Sequence, residues 1–121
     1  MNYTTLEDVT DGTKVMTGMF SVNQRPVVVL FDSGASHTFI SEACVARLNL
    51  QVTYMKRPYI IHAPGAQLNA SQCVSGVSLD LGGKFFRATP IILPNRGIDI
   101  ILGMNWMEEH RVTLDTSSHI V

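Results

Sequence analysis

The stretch Val27-Val28-Val29-Leu30-Phe31-Asp32-Ser33-Gly34-Ala35-Ser36-His37-Thr38 brings a carboxylate, several hydroxyls and an imidazole onto one short turn. Its first half is a run of β-branched and large apolar residues, the pattern of a strand buried on both faces. A carboxylate delivered by such a strand is costly to bury unless it is paired or put to use. Gly34 allows a sharp turn and lets another segment approach its backbone closely. The Ser33 and Ser36 hydroxyls can hold the carboxylate or a neighbouring backbone group. Elsewhere the chemistry is sparse. Cys44 and Cys73 lie far apart without metal-ligand spacing, and the four histidines are scattered, so neither a zinc site nor a cofactor is expected.

A second motif runs Ile98-Asp99-Ile100-Ile101-Leu102-Gly103-Met104-Asn105-Trp106-Met107. Together the two stretches resemble the aspartic proteases of retroviral type. The first resembles the hydrophobic-hydrophobic-Asp-(Thr/Ser)-Gly-(Ala/Ser) active-site loop. Its continuation, Asp32 to His37 followed by Phe39-Ile40, is similar to the proteases of Ty3/gypsy long-terminal-repeat retrotransposons. The second resembles the late hydrophobic-hydrophobic-Gly element of that family, a strand beside the active-site loop that leads into a short helix. A lone Asp-Ser-Gly is weak; the whole run, with Ile101-Leu102-Gly103 at the right place, is far more specific.

The resemblance implies a single lobe of the acid-protease fold, mostly β, closed into a small barrel with one or two short helices. It implies peptide hydrolysis by two carboxyls sharing a proton, one activating water and the other protonating the scissile carbonyl. The chain has one Asp-Ser-Gly, and Asp8, Asp11, Asp80, Asp99 and Asp115 lack its surroundings. The second carboxyl is therefore expected from another copy, in a homodimer with Asp32 facing its counterpart across a twofold axis. By the same resemblance Asp32, Ser33 and Gly34 form the catalytic loop, with Ser33 bonding across the dimer and Gly34 accepting substrate backbone. Ala35, Ser36 and His37 line the cleft or its edge. Ala63, Pro64, Gly65 and Ala66 form a flap over a polypeptide substrate, and Ile101 an apolar subsite wall. The implied setting is processing of a retrotransposon Gag-Pol polyprotein. The alternative is a domesticated or inactive domain serving as a dimerisation or peptide-binding module.

The chain departs from the family pattern in two places. Many retroviral proteases carry an acidic residue where Ser36 stands and an arginine where Met104 stands, joined as an ion pair. Both are absent here, so no orphan charge is left, and the dimer is expected to rest on terminal strands and on apolar contacts of the Met104-Trp106-Met107 helix. Trp106 itself reads as core. Pro64 beside Gly65 stiffens the flap tip and removes a backbone donor.

The elements that must position these residues follow from pattern. Residues 14–22 alternate as a half-buried strand, 23–26 turn, and 27–31 return to deliver Asp32. Ser41 caps a helix over Glu42–Leu48, with Ala43, Val45, Ala46 and Leu48 available to pack inward and Asn49 as its stop. Residues 51–61 read as a strand, and His62-Ala63-Pro64-Gly65-Ala66-Gln67 as a hairpin turn. Strands are expected over 74–81 and 84–93 around Gly82-Gly83, the second burying Phe85, Ala88, Ile91 and Leu93, with Pro90 and Pro94 limiting its pairing. Asn95-Arg96-Gly97 turns into a strand over 98–102, a helix over 104–110 and a last strand over 111–115.

Composition bounds the rest. A chain of 121 residues is one domain, here 14–121 behind a polar arm at 1–13 that suggests excision from a polyprotein. With 45% hydrophobic residues a small core is available. A net charge of −1 without basic runs speaks against nucleic acid. No apolar stretch is long enough for a membrane span, and 1–13 has no signal-peptide core. Reduced, buried cysteines and a cytoplasmic location are expected, with virus-like particles as one such setting.

Overall fold

The structure, a computed structural model, describes residues 15–63, 66–94 and 97–112. Strands β1 (Val15–Val22) and β2 (Arg25–Asp32) form an antiparallel hairpin paired from Val22↔Arg25 to Val15↔Asp32. Its turn is the two residues Asn23 and Gln24, both left-handed at φ 53° and 64°, as a twist-matched two-residue hairpin requires. The turn is thus tighter than the expected 23–26, and Arg25 and Pro26 already pair.

The short strand β3 (Phe39–Ser41) leads into helix α1 (Glu42–Leu48). The Ser41 hydroxyl accepts the Cys44 N–H at 3.0 Å, and Asn49 ends the helix in the left-handed region. Cys44, Val45 and Leu48 face inward, whereas Ala43 and Ala46 are exposed, correcting the expected face. Strands β4 (Val52–Ala63) and β5 (Ala66–Val74) form a long hairpin, and β6 (Val77–Leu81) and β7 (Lys84–Ala88) a short one. Strand β8 (Ile91–Leu93), strand β9 (Ile100–Leu102) and helix α2 (Met104–Glu109) complete the described elements.

The expected single strand over 84–93 is two. β7 pairs β6, while β8 joins β3 and β5 in another part of the sheet. The break falls at Thr89-Pro90, where proline cannot donate to a ladder. Phe85 is exposed on β7, and Phe86 packs inward instead.

The nine strands make one sheet in the order β4-β5-β8-β3-β9-β2-β1-β6-β7. The sheet is not closed into a barrel, contrary to expectation. β4 and β7 stand at opposite ends of the order without pairing, and β5 touches β8 through the single pair Cys73↔Ile91. Closure needs the two end strands to pair in a continuous stagger, and these do not.

Alternation along the central strands builds a core on each face. Val27, Val29 and Phe31 of β2 join Ile40, Ile100, Leu102, Trp106 and Met107 in the larger cluster. Leu30, Phe39 and Ile101 turn the other way, into a second cluster with Ala35, Ile61 and Ala70. β2 is therefore buried on both faces, as its sequence indicates. Trp106 is 2% exposed and edge-on to Phe31 and Phe86, a core residue as expected. With Met107 equally buried, α2 offers a partner only the half-buried Met104 of the expected apolar trio. The helix ends at Glu109, and Arg111 is a turn residue at φ 56°. The remainder of the expected 111–115 strand, and the 1–13 arm, lie outside the described residues. Among the described residues no helix is long and apolar enough to cross a membrane.

Candidate active site

Asp32 is the last residue of β2 and is 1% exposed. Strand β1 flanks it through the Val15↔Asp32 pair, and β9 lies on the other side of β2, parallel to it and ending at Leu102 beside Phe31. Beyond the strand the chain folds back on the carboxylate. Oδ1 accepts the Gly34 N–H at 2.8 Å, and the Asp32 carbonyl accepts the Ala35 N–H at 3.1 Å. This is the turn that a short acidic side chain stabilises through its own backbone. It holds the carboxylate at one orientation at the mouth of the sheet.

The second motif clamps this loop from below. The Met104 N–H donates to the Ala35 carbonyl at 2.7 Å, and the Gly103 N–H to Thr38 Oγ1 at 3.2 Å. Thr38 Oγ1 in turn donates to Asn105 Oδ1 at 3.1 Å. A Cβ on Gly103 would stand 2.2 Å from the His37 carbonyl oxygen and 2.7 Å from that of Ala35. Only a residue without a side chain lets the β9–α2 junction pass this close, which is the physical reason for glycine after Ile101-Leu102.

The loop places the other expected residues unevenly. Ala35 is buried in the second cluster with Ile101 and Ile61, so loop, β9 and the β4–β5 hairpin meet there. Gly34 and Ser36 are exposed, and Ser33 and His37 are half-buried. Ser36 Oγ lies 3.0 Å from His37 Nδ1, and Tyr59 Oη lies 2.7 Å from the same nitrogen. Ala63 and Ala66 pair at the end of the hairpin, while Pro64 and Gly65 lie outside the described residues.

A second polar cluster supports β2 from behind. Asp99 Oδ2 accepts the Val28 N–H at 2.8 Å and pairs with the Arg47 guanidinium at 3.0 Å. Arg47 also donates to the Pro26 carbonyl at 3.1 Å. Beside it, burial first, and then the Asp99 charge, push the Cys44 thiol up to about 11, against a smaller opposing pull from Arg47. Cys44 and Cys73 are both free and buried. Among the described residues no group of three or more His, Cys, Asp or Glu side chains could hold a metal ion.

The model of the retroviral aspartyl protease family matches the chain over residues 1–121. The chain belongs to that family. Solved structures share this fold. The retroviral protease-like domain of Ddi1 from Leishmania major is similar with a TM-score of 0.63 and 16% identity, over 86% of this chain and 80% of that one. The EIAV protease in complex with an inhibitor is similar with a TM-score of 0.66 and 19% identity, over 88% and 98% of the two chains. In sequence the chain is 27% identical to Protein DDI1 homolog 1 of Rattus norvegicus across 104 residues, 83% of this chain but 24% of that protein. The chain thus spans about a quarter of the curated relatives it matches.

Within this retroviral-type fold, sequence reasoning assigned no site role to Thr38, Asn105, Tyr59 or the Arg47–Asp99 pair. Asp99 carried a usable signal, a carboxylate inside the otherwise apolar run 98–102. Tyr59 carried none, because its partner is set by how the hairpin folds over the loop.

Proposed function

We propose that the chain is an aspartic endopeptidase that works as a homodimer, the Asp32 carboxyls of two copies forming the dyad. The observation that carries this reading is the buried Asp32, oriented by its own loop at the end of a doubly covered strand. Two carboxyls about 3 Å apart cannot both ionise, so the pair shares a proton. It titrates as a unit with two apparent values. The ionised member takes a proton from the attacking water, and the protonated one donates to the carbonyl oxygen. Ser33 braces the two loops across the axis, and the Gly34 carbonyl accepts a substrate N–H. Ala35, Ser36 and His37 border the peptide, the hairpin carrying Ala63, Pro64, Gly65 and Ala66 acts as the flap, and Ile101 walls an apolar subsite. Apolar or aromatic side chains are favoured at the cut.

The biological reading that accords with Asp-Ser-Gly-Ala-Ser-His is maturation of a Gag-Pol polyprotein by a retrotransposon protease, in the cytoplasm or inside particles assembled there. The DDI1 homologues among the relatives favour a second reading, a domesticated domain of a cellular protein, inactive or acting as a dimerisation or peptide-binding module.

Peptide cleavage measured against pH and protein concentration separates these. The protease reading expects activity at mildly acidic pH, rising more steeply than linearly with concentration and abolished by Asp32→Asn or Asp32→Ala. A folded, dimeric wild type that cleaves nothing at any pH sinks it in favour of the module.

A further inference from the structure

A side-chain hydrogen bond ties the β4–β5 hairpin to the Asp32 loop at the root of its outer arm. Tyr59 Oη lies 2.7 Å from His37 Nδ1, and the two rings lie 4.3 Å apart at a tilt of 52°. Ser36 Oγ reaches the same nitrogen at 3.0 Å. Nδ1 is thus shared by a hydroxyl from the loop and one from the hairpin. If Nδ1 is bare, the Tyr59 O–H donates to it; if it carries the proton, it donates to the Tyr59 oxygen.

The position of Tyr59 on the hairpin gives this contact its meaning. On β4 the pairing jumps from Tyr54↔Gln72 to Tyr59↔Ala70, so β4 carries extra residues there that β5 does not match. Such an irregularity bends a ribbon and loosens its ladder, and Pro58 within it has no N–H to give. Regular pairing resumes at Tyr59 and runs to Ala63↔Ala66. Tyr59 is therefore the first residue beyond the bend. From it the arm extends four steps to Ala63, about 13 Å at roughly 3.3 Å per residue. A fixed point at the root of a bent arm sets the angle of everything beyond it.

We propose that Tyr59 and His37 are positioning residues: their contact latches the root of the hairpin to the Asp32 loop and so sets how the hairpin lies over a bound peptide. Its kinetic consequence rests on the protease reading; the latch itself does not. Ser36 completes it by holding the imidazole on the loop side. Tyr59 also packs against the cluster containing Ala35 and Ile101, so the latch and the apolar wall move together.

The test compares wild type, Tyr59→Phe, His37→Ala and His37→Asn in the full chain. Asparagine keeps a polar atom close to where Nδ1 stands. Amide hydrogen exchange is read over residues 59–63 and 66–70, with β1 and β2 as the internal reference. Tyr59→Phe and His37→Ala are expected to speed exchange in the hairpin about five- to tenfold with the reference unchanged, and His37→Asn to restore protection. With a peptide substrate, Tyr59→Phe is expected to raise KM three- to tenfold with kcat held within twofold. Unchanged hairpin exchange, or an equal rise in β1 and β2, overturns the latch. A fall in kcat at constant KM overturns its positioning role. If wild type cleaves nothing, the protease reading fails, and the exchange comparison still decides the latch.

Discussion

Replacing Gly103 by alanine tests whether the second motif seats the first. The added methyl would lie 2.2 Å from the His37 oxygen and 2.7 Å from the Ala35 oxygen, where relaxed contacts begin at 3.4 Å. Both neighbours are backbone, so no rotamer change can relieve the contact. The loop must retreat by about 1 Å, stretching the Met104 N–H bond to Ala35 and the Gly103 N–H bond to Thr38. Overpacking costs about 1–3 kcal/mol and each weakened bond about 1 kcal/mol, so a loss of roughly 3–5 kcal/mol is expected. On the protease reading, a loop displaced by about 1 Å also costs on the order of 100-fold in kcat/KM. Urea unfolding at fixed protein concentration, followed by the fluorescence of Trp106, reads the first quantity. Peptide turnover reads the second. Gly18→Ala is the control, since its Cβ meets at 2.7 Å the far end of the half-buried Phe20 ring rather than backbone; its cost should stay near 1 kcal/mol, at the low end for overpacking. If Gly103→Ala unfolded within about 0.5 kcal/mol of wild type, as a neutral surface change does, and kept its turnover, the clamp would have no role in seating Asp32.

Thr38→Val should destabilise by about 1–3 kcal/mol, because the buried Gly103 N–H loses its acceptor, whereas Thr38→Ser should recover most of it; thermal unfolding distinguishes the two. Asp99→Ala should cost more than Arg47→Met in the same assay. It strands the Val28 N–H, at about 1–3 kcal/mol, while the partly exposed ion pair alone is worth under about 1 kcal/mol. The Cys44 thiol, raised from 9.0 to about 11, keeps its proton in the folded chain where an unfolded chain releases it. Its contribution is therefore intact below about pH 9 and lost as pH climbs to about 11, a decline on the order of 2–3 kcal/mol. Comparing the alkaline slope of unfolding free energy in wild type and Cys44→Ala checks this, and equal slopes would contradict it.

Local chemistry was legible where it acted alone. Ser41 and Asn49 bounded α1 to the residue, and the apolar run 27–31 announced a doubly buried strand ending at Asp32. Long-range choices were not. β3 is three residues long, too short to show a period. Lys84 to Leu93 carries one continuous apolar pattern although its halves pair in different places, and only Pro90 hinted at the break. Closure failed as a sequence inference because it depends on whether the end strands β4 and β7 meet, which no local pattern encodes. In the site, glycine at 103 was visible as a motif, but the carbonyls it clears belong to residues far away in the chain. The Tyr59–His37 contact joins side chains whose types alone propose no partnership.

The order in which the parts arrive carries a timing consequence. Thr38 and Gly103, which close the clamp, are 65 residues apart, and β2 gains its parallel neighbour only with β9. A ribosome adding about 5–20 residues per second leaves Asp32 without that seat for roughly 4–14 s after its synthesis. Pairings between distant segments are also the slow step for sheets of this kind. The carboxylate is thus chemically present well before it is mechanically armed. Asp32 waits on distant residues, and β9 and α2 complete its seat only after the loop itself has been made.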